Sequence, residues 1–285
     1  MRALPELPEI ETIRRTIGPL LVGRTLHVAG IGPHDMRARG EGRGTGGSRS
    51  SWITPRELLD GARIDRLERR GKRLAILASD GRALVIQLGM SGQLMNGEEA
   101  EQTHRHVTWN IGRRAADIVF RDPRRFGGVT PYRSHAALLK AWEQELGPDG
   151  LTVTAEQLVE RISGKRAIKA ALLDQTVVAG VGNIYADESL HLAGIDPRTR
   201  CSRLRRERIA ALAESIRTIL TRAVTHGGST LRDYRAGNGA RGNAQQLHAV
   251  YGRDGEPCMS CKAVLRGSRL AGRATVWCPA CQRRG

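Results

Sequence analysis

The sequence predicts an α+β protein whose chain falls into three consecutive parts. Residues 24 to 121 hold a series of short β-rich runs, residues 134 to 225 hold a series of helical patterns, and the last 28 residues hold four of the five cysteines. A hydrophobic period that changes from about two residues to about 3.6 residues along the chain indicates strands followed by helices. A chain of 285 residues is long enough for two domains and a small third unit. We therefore expect domains at 5–132, 133–250 and 251–285.

An amphipathic helix is predicted at the start of the first domain. Pro8 suits a first helical position, and apolar residues then recur at helical spacing from Ile10 to Leu21. Glu9 and Glu11 fall between them, on what this pattern predicts to be the polar side.

The rest of the first domain is predicted to be a β-sandwich or a barrel-like layer. Its β-rich runs are separated by clusters of Gly, Asp or Pro, which are typical of turns. The runs are residues 24–31, 62–68, 73–79, 83–88, 107–112 and 116–121. Between the first two runs, Gly40 to Ser51 reads GEGRGTGGSRSS, a composition that predicts a flexible loop without regular structure.

The middle domain is predicted to be helical. Its helical patterns cover residues 134–146, 155–163, 165–174, 183–193 and 204–225. The fourth helix opens at Asn183 and follows Gly180 and Gly182. Backbone N–H groups at such a helix start can bind a phosphate group.

The C-terminal cysteines predict a metal site. Cys258 and Cys261 form one CxxC pair, and Cys278 and Cys281 form a second pair 16 residues further on. This is the spacing of a zinc ribbon in which four thiolates hold one structural Zn²⁺. So small a segment needs the metal in order to fold. A redox-active CxxC is the weaker alternative, because the two pairs together fill all four tetrahedral positions.

The charge of the chain points to a polyanionic partner. There are 46 Lys and Arg against 29 Asp and Glu, a formal net charge of +17, which favours nucleic acid. No window reaches the roughly 18 apolar residues of a membrane span, and the acidic N-terminal segment is unlike a signal peptide. We expect a cytoplasmic protein with no membrane contact.

Six short motifs, in order along the chain, carry a resemblance to a known family. They are PELPEIE from Pro5, GMSG from Gly89, DPRRFG from Asp122, GVGNIYADES from Gly180, YGRDGEPC from Tyr251, and the CxxC pairs. The chain resembles the formamidopyrimidine-DNA glycosylases, bacterial enzymes that excise oxidised purines from DNA. The resemblance implies a β-sandwich domain, a helix-two-turn-helix domain and a zinc finger around a DNA cleft. It also implies a monomer that acts on damaged double-stranded DNA.

The resemblance assigns roles residue by residue. Pro5 matches the proline whose amine attacks C1′ of the damaged nucleotide, and Glu6 matches the adjacent acid. Lys72 matches the lysine of β-elimination, and Arg273 matches the finger arginine of the second elimination. DNA contacts are implied for His104, Arg124, Lys165 and Asn183, and the wedge that replaces a flipped base is implied for Met90, Arg124 and Phe126.

The chain departs from the family pattern at two places. Pro5 follows four other residues, and a proline nitrogen inside a chain is an amide that cannot form an iminium ion. We expect that translation starts at the codon of Leu4, which is then read as methionine. Removal of this methionine would leave Pro5 as the first residue of the active form. The segment from Gly237 to Gln246, which corresponds to the loop over the extruded base, lacks aromatic residues and leaves the lesion preference open.

Two other functions remain as alternatives. One is an endonuclease of the oxidised-pyrimidine branch of the same superfamily, which the DPRRFG segment disfavours. The other is a catalytically silent DNA-binding module in which Pro5 stays blocked. The residue at which the active chain begins distinguishes the silent module from the glycosylase.

Overall fold

The computed structural model of the chain describes residues 4–34, 36–37, 53–112, 117–231 and 234–284. Helices within these residues are α1 (Leu7–Leu21), α2 (His135–Glu145), α3 (Ala155–Arg161), α4 (Ile168–Leu172), α5 (Asn183–Leu192) and α6 (Arg206–Thr225). Strands are β1 (His27–Ile31), β2 (Ile64–Arg70), β3 (Arg73–Ala78), β4 (Ala83–Gln87), β5 (Gln93–Asn96), β6 (Arg105–Asn110), β7 (Ile118–Arg121), β8 (Gly128–Tyr132), β9 (Arg266–Leu270) and β10 (Arg273–Trp277). The Gly40–Ser51 loop of the sequence analysis lies outside the described residues.

The first eight strands form a β-sandwich. One antiparallel sheet has the order β1-β6-β7-β5 and the other has the order β2-β3-β4-β8. Alternate residues of each strand face opposite sides, so Leu74 and Ile76 of β3 lie in the core between the sheets, while Ala75 and Leu77 lie in a second core with α2. The predicted sandwich is confirmed, and the second sheet is covered on both faces.

Two of these strands, β5 and β8, were not predicted. β8 contains Pro131, which lacks a backbone N–H and therefore argues against a central strand. Both strands lie at sheet edges, where a strand can be short or can lack one backbone hydrogen-bond donor. Their assignment therefore depends on the neighbouring strands rather than on their own residues.

Helix α1 begins one residue earlier than predicted and joins two cores. Glu6 is its N-cap, and the Glu6 backbone N–H donates to Glu9 Oε2 at 2.8 Å, as in a capping box. Leu7 lies in the core of the helical region, whereas Ile10 and the apolar residues after it lie in the core of the sandwich. The expectation that Glu9 is a solvent-facing residue is wrong, because Glu9 is only 1% exposed.

The predicted helices of the middle region are all present, with α4 shortened to five residues. α6 packs against α3 and α5, and its apolar stripe lies in their common core. Among the described residues, no helix is both long enough and apolar enough to cross a bilayer.

The C-terminal segment is a β9–β10 hairpin with a small core of its own. That core contains Val250, Leu265 and Val276 together with the sulfur-bearing side chains of Cys258 and Cys278. The hairpin packs on α5, so the four-cysteine segment lies against the helical region. The boundaries at 132/133 and 250/251 stay predictions.

Candidate active site and metal centre

The predicted catalytic residues of the first domain lie where three segments meet. The N-terminus of α1 is held against the turn before α5 by a hydrogen bond from the Leu7 backbone N–H to Gly180 O, 3.1 Å long. Lys72 lies in the two-residue turn between β2 and β3, close enough that its charge acts on Glu6. Pro5 is buried directly beside Glu6. The structure therefore brings Pro5, Glu6 and Lys72 together.

The Glu6 carboxylate caps the N-terminus of α5. Glu6 Oε2 accepts a hydrogen bond from the Gly182 N–H at 2.6 Å, and Oε1 accepts one from the Ile184 N–H at 2.8 Å. A Cβ at position 182 would lie 2.3 Å from the Glu6 carboxyl carbon, so a side chain there would displace the carboxylate from this position. The prediction that these N–H groups face a phosphate is corrected: the anion at this helix start is the protein's own carboxylate, favoured by the helix dipole.

Burial raises the pKa of Glu6 to about 7. The positive charge of Lys72 and the two backbone N–H groups oppose this rise, whereas the nearby Glu9 carboxylate adds to it. Desolvation prevails because Glu6 is 1% exposed. A carboxyl group that titrates near neutrality can donate and accept a proton at the pH of a cell, so Glu6 has the properties of an acid–base residue.

Glu9 forms a second buried carboxylate that the sequence analysis missed. Its Oε1 accepts hydrogen bonds from the Tyr185 hydroxyl at 2.7 Å and from the Ser229 N–H at 2.6 Å, and burial raises its pKa. Glu9 also holds the backbone N–H of Glu6. Glu6 and Glu9 are three residues apart at a predicted helix start, the spacing of a capping box. This spacing was the sequence signal from which the contact between them could have been predicted.

Asn183 connects this group to the C-terminal hairpin. Asn183 Nδ2 donates to Ala274 O at 3.1 Å, and Lys169 Nζ donates to the same oxygen at 2.9 Å. These contacts fix the chain beside Arg273, which is exposed at the start of β10. Lys165, in contrast, is exposed in the segment before α4.

The GMSG and DPRRFG segments form a second group of predicted site residues. The Asp122 carboxylate accepts hydrogen bonds from the Ser91 hydroxyl and from the Gly127 N–H, the latter at 2.7 Å. The backbones touch closely enough that a Cβ on Gly89 would lie 2.5 Å from the carbonyl carbon of Phe126. The fully buried Asp122 therefore organises both loops, a role that the sequence analysis did not assign.

An exposed aromatic ring and a cation mark this second group. The Arg124 guanidinium lies 5.1 Å from the ring centroid of Phe126, within cation–π range, and Phe126 is 57% exposed. His104 belongs to the same edge, because its backbone oxygen accepts a hydrogen bond from the Asp122 N–H at 3.1 Å. Met90, in the GMSG loop, is half-buried. Such a projecting apolar and cationic edge is suited to insertion into stacked bases.

The four C-terminal cysteines form a site with the dimensions of a metal centre. Their sulfur atoms all lie within 4.8 Å of one another, with Cys258 and Cys281 4.0 Å apart and Cys261 and Cys278 3.4 Å apart. Sulfur ligands about 2.3 Å from a tetrahedral ion lie about 3.8 Å from each other. The residues therefore fit one tetrahedral metal ion, and Cys201 is buried elsewhere in the helical core.

Comparison with known proteins identifies the family. Residues 4–129 match the N-terminal domain of formamidopyrimidine-DNA glycosylase, and residues 146–235 match its H2TH domain. The formamidopyrimidine-DNA glycosylase of Xanthomonas oryzae pv. oryzae (strain PXO99A) is 39% identical over 98% of this chain and 100% of its own length. This chain belongs to the formamidopyrimidine-DNA glycosylase family. The corresponding protein of Xanthomonas campestris pv. campestris (strain 8004) is 40% identical with the same coverage.

Solved structures of this glycosylase family share the whole fold. The MutM (Fpg) protein of Thermus thermophilus superposes with a TM-score of 0.80 at 36% identity, covering 99% of this chain and all of that one. A complex of Lactococcus lactis Fpg with DNA containing an abasic site also gives a TM-score of 0.80, at 32% identity, covering 98% of this chain and all of that chain. The predicted resemblance and fold class are thus confirmed, and the protein is a DNA glycosylase of this family.

Proposed function

We propose that this chain is a bifunctional DNA glycosylase and abasic-site lyase that excises oxidised purines, 8-oxoguanine and formamidopyrimidines, from duplex DNA. The net charge of +17 supplies attraction to the phosphate backbone. The bound abasic site in the Lactococcus lactis relative supports damaged DNA as the partner. We propose that the chain acts as a monomer.

The observation that carries this proposal is the position of Glu6. A buried carboxyl group with a pKa of about 7 lies next to Pro5 and within the field of Lys72. This arrangement supplies a proton donor, a nitrogen and a cation at one point on the molecule. General acid catalysis of base departure requires such a donor beside the nucleophile.

The proposed nucleophile is the secondary amine of Pro5 in a chain that begins at this residue. A terminal α-amine has a pKa of about 7.7 to 8.0 against about 10.4 for lysine, so far more of it is neutral and nucleophilic near pH 7. Its lone pair forms a bond to C1′ while the bond from C1′ to the base breaks, and the base leaves with the proton that Glu6 donates. Opening of the sugar then gives an iminium ion on the Pro5 nitrogen.

The iminium ion accounts for the lyase step. It draws electrons from C2′, so a proton leaves C2′ and the C3′–O bond breaks; a second elimination breaks the C5′–O bond. Following the family pattern, we assign Lys72 to the first elimination and Arg273 to the second. Hydrolysis of the iminium ion by water returns the free Pro5 amine.

The second group of residues is proposed to hold the DNA open. A base inside a duplex is inaccessible, and flipping it out costs a few kcal/mol. Met90, Arg124 and Phe126 are proposed to fill the space that the base leaves, because apolar wedges stabilise an unstacked step. His104, Lys165 and Asn183 are proposed to contact the DNA.

The metal ion is proposed to be one structural Zn²⁺ held by Cys258, Cys261, Cys278 and Cys281. Four thiolates at tetrahedral spacing are the ligand set that zinc prefers in structural sites. The ion would supply folding energy to the hairpin that carries Arg273, and no step of the reaction passes through it.

Excision from defined duplexes tests the proposed function. The chain beginning at Pro5 should release 8-oxoguanine and formamidopyrimidine opposite cytosine and leave a one-nucleotide gap with phosphate at both ends. Release of oxidised pyrimidines in preference to purines would favour the oxidised-pyrimidine branch. Binding without any strand cleavage would favour the silent module.

A further inference from the structure

Helix α5 presents a line of polar residues to the C-terminal hairpin. Asn183, Asp187 and His191 are spaced four residues apart, so they lie on one face of the helix. Asn183 donates to Ala274 O at 3.1 Å, and Asp187 Oδ2 accepts a hydrogen bond from the Val276 N–H at 3.1 Å. The first two members of this line thus hold the hairpin backbone.

The third member, His191, reaches the metal centre instead of the backbone. His191 Nε2 lies 3.7 Å from Cys258 Sγ, within the distance at which sulfur accepts a hydrogen bond from nitrogen. His191 is in the last turn of α5, and Cys258 is fully buried. A side chain of the helical region therefore contacts one of the four sulfur ligands directly.

A hydrogen bond at this position has a defined chemical effect. Four thiolates around a divalent ion carry a net charge of −2, and each N–H that donates to a sulfur withdraws part of that charge. Backbone N–H groups already act in this way: the Cys281 N–H lies 3.4 Å from Cys278 Sγ, and the N–H groups of Ser260 and Cys261 hydrogen-bond to Cys258. Groups that hold a metal ligand from outside the coordination sphere commonly tune metal affinity.

We propose that His191 is a positioning residue for the metal centre, donating its Nε2–H to the Cys258 sulfur and joining the metal ion to α5. The opposite end of the same helix receives the Glu6 carboxylate through Gly182 and Ile184. One rigid helix of ten residues therefore connects the metal centre to the candidate acid. The inference rests on the proposed occupancy of the four-cysteine site.

Substitution of His191 tests the inference on the metal-loaded full chain. His191→Phe keeps a ring of similar volume but has no N–H, whereas His191→Gln keeps a donor. His226→Phe is the matched control, because His226 is an exposed histidine whose Nδ1 contacts Arg222 O. Zinc affinity is measured by competition with a chromophoric chelator, and the sulfur-to-metal charge-transfer band is measured after substitution with Co²⁺.

The expected result is a zinc affinity about 10-fold lower for His191→Phe, with a shifted Co²⁺ charge-transfer band. His191→Gln should recover much of both properties, and His226→Phe should match the unchanged protein. A His191→Phe protein equal to the unchanged protein in both measurements overturns the inference. If the unchanged protein itself binds no metal, the proposed metal site fails instead, which separates the two outcomes.

A measurement without substitution covers the case in which His191→Phe does not fold. In the zinc-loaded protein with ¹⁵N-labelled histidine, the chemical shift of His191 Nε2 reports whether this nitrogen carries a proton. A protonated Nε2 is expected. An unprotonated Nε2 cannot donate and would overturn the proposal.

Discussion

The Glu6 carboxylate and the Ile184 backbone N–H are 2.8 Å apart and join the start of α1 to the start of α5. The two residues are separated by 178 positions in the chain. Together with the Gly182 N–H, which donates to the same carboxylate at 2.6 Å, this contact places the candidate acid of the β-sandwich region on the helical region. It also requires the glycine at position 182, since any Cβ there would collide with the carboxylate.

Glu6→Gln is expected to abolish base excision while the chain stays folded. The amide has the size of the acid but donates no proton to the leaving base, and general acid catalysis contributes about 100- to 10,000-fold. At least one of the backbone N–H donors at the start of α5 would face the amide NH₂, which costs about 1 to 3 kcal/mol of the free energy of unfolding. Single-turnover excision and thermal unfolding measure the two effects.

Glu11→Gln is the control for this experiment. Glu11 lies on the same helix but pairs with Arg14, Arg15 and Arg69, away from the α5 N-terminus. The folded Glu11→Gln variant should excise the damaged base at close to the normal rate. An equal loss in both variants would mean that helix stability, rather than the acid, was tested.

Excision by the active chain is expected to peak between about pH 7 and pH 8, because the neutral Pro5 amine is gained as the pH rises toward about 7.7 to 8.0 while the protonated Glu6 is lost above about 7. The raised pKa of Glu6 means that the protonated acid is lost over this range. The pKa of Glu6 is 4.5 in the unfolded chain and about 7 in the folded chain. Between pH 4.5 and about pH 7, the folded chain therefore binds more protons at this group than the unfolded chain does. The stabilising contribution of Glu6 is therefore complete below about pH 4.5 and is lost as the pH rises through about 7.

Free energies of unfolding measured at pH 5 and pH 8, for the original chain and for Glu6→Gln, check that the contribution of Glu6 to stability decreases as the pH rises. The original chain should lose more stability over this range than Glu6→Gln, which has no titrating group at this position. A larger loss in the Gln variant contradicts the raised pKa.

Metal analysis should find one zinc per chain, and Cys258→Ser should lower both the zinc content and the affinity for DNA. The loss follows because the hairpin core includes the ligand sulfurs themselves. Cys201→Ser is the matched control, since Cys201 lies in the helical core and should retain zinc. Normal DNA binding by metal-free protein would show that the hairpin needs no metal.

Arg124 is expected to set the preference for cytosine opposite the lesion. Its guanidinium can offer two donors to the O2 and N3 acceptors of cytosine, whereas adenine presents an N6 donor. One bidentate contact gives about 1 to 3 kcal/mol, or about 5- to 150-fold in preference. Arg124→Ala should therefore reduce the ratio of excision rates opposite cytosine and adenine.

Arg125→Ala provides the comparison for that ratio. Arg125 is an exposed cation whose guanidinium lies 3.3 Å from His34 Nδ1. Phosphate contacts carry no sequence information, so loss of this positive charge should weaken DNA binding whatever the opposite base. An unchanged ratio in Arg124→Ala would contradict the proposed wedge and leave Arg124 as a phosphate contact.

Local sequence patterns were sufficient for most of the helices and strands and for the four-cysteine cluster, but not for the edge strands β5 and β8 or for the buried acids. Periodicity alone predicted α6, and cysteine spacing alone predicted a four-sulfur site. The burial of Glu9 and the anion at the start of α5 depend on partners more than 170 positions away in the chain. Local patterns therefore predicted that Glu9 lies on the surface, and that the backbone N–H groups at the start of α5 bind a phosphate.

Borohydride trapping on DNA with an abasic site tests the central claim, that the Pro5 amine forms the covalent intermediate. Reduction converts an iminium ion into a stable bond, so a chain that begins at Pro5 should become covalently attached to the DNA. The chain of 285 residues, with Met1 confirmed by intact mass, should give little or no trapped product because its Pro5 nitrogen is an amide. Equal trapping by both chains would contradict the claim and make Lys72 the first alternative nucleophile.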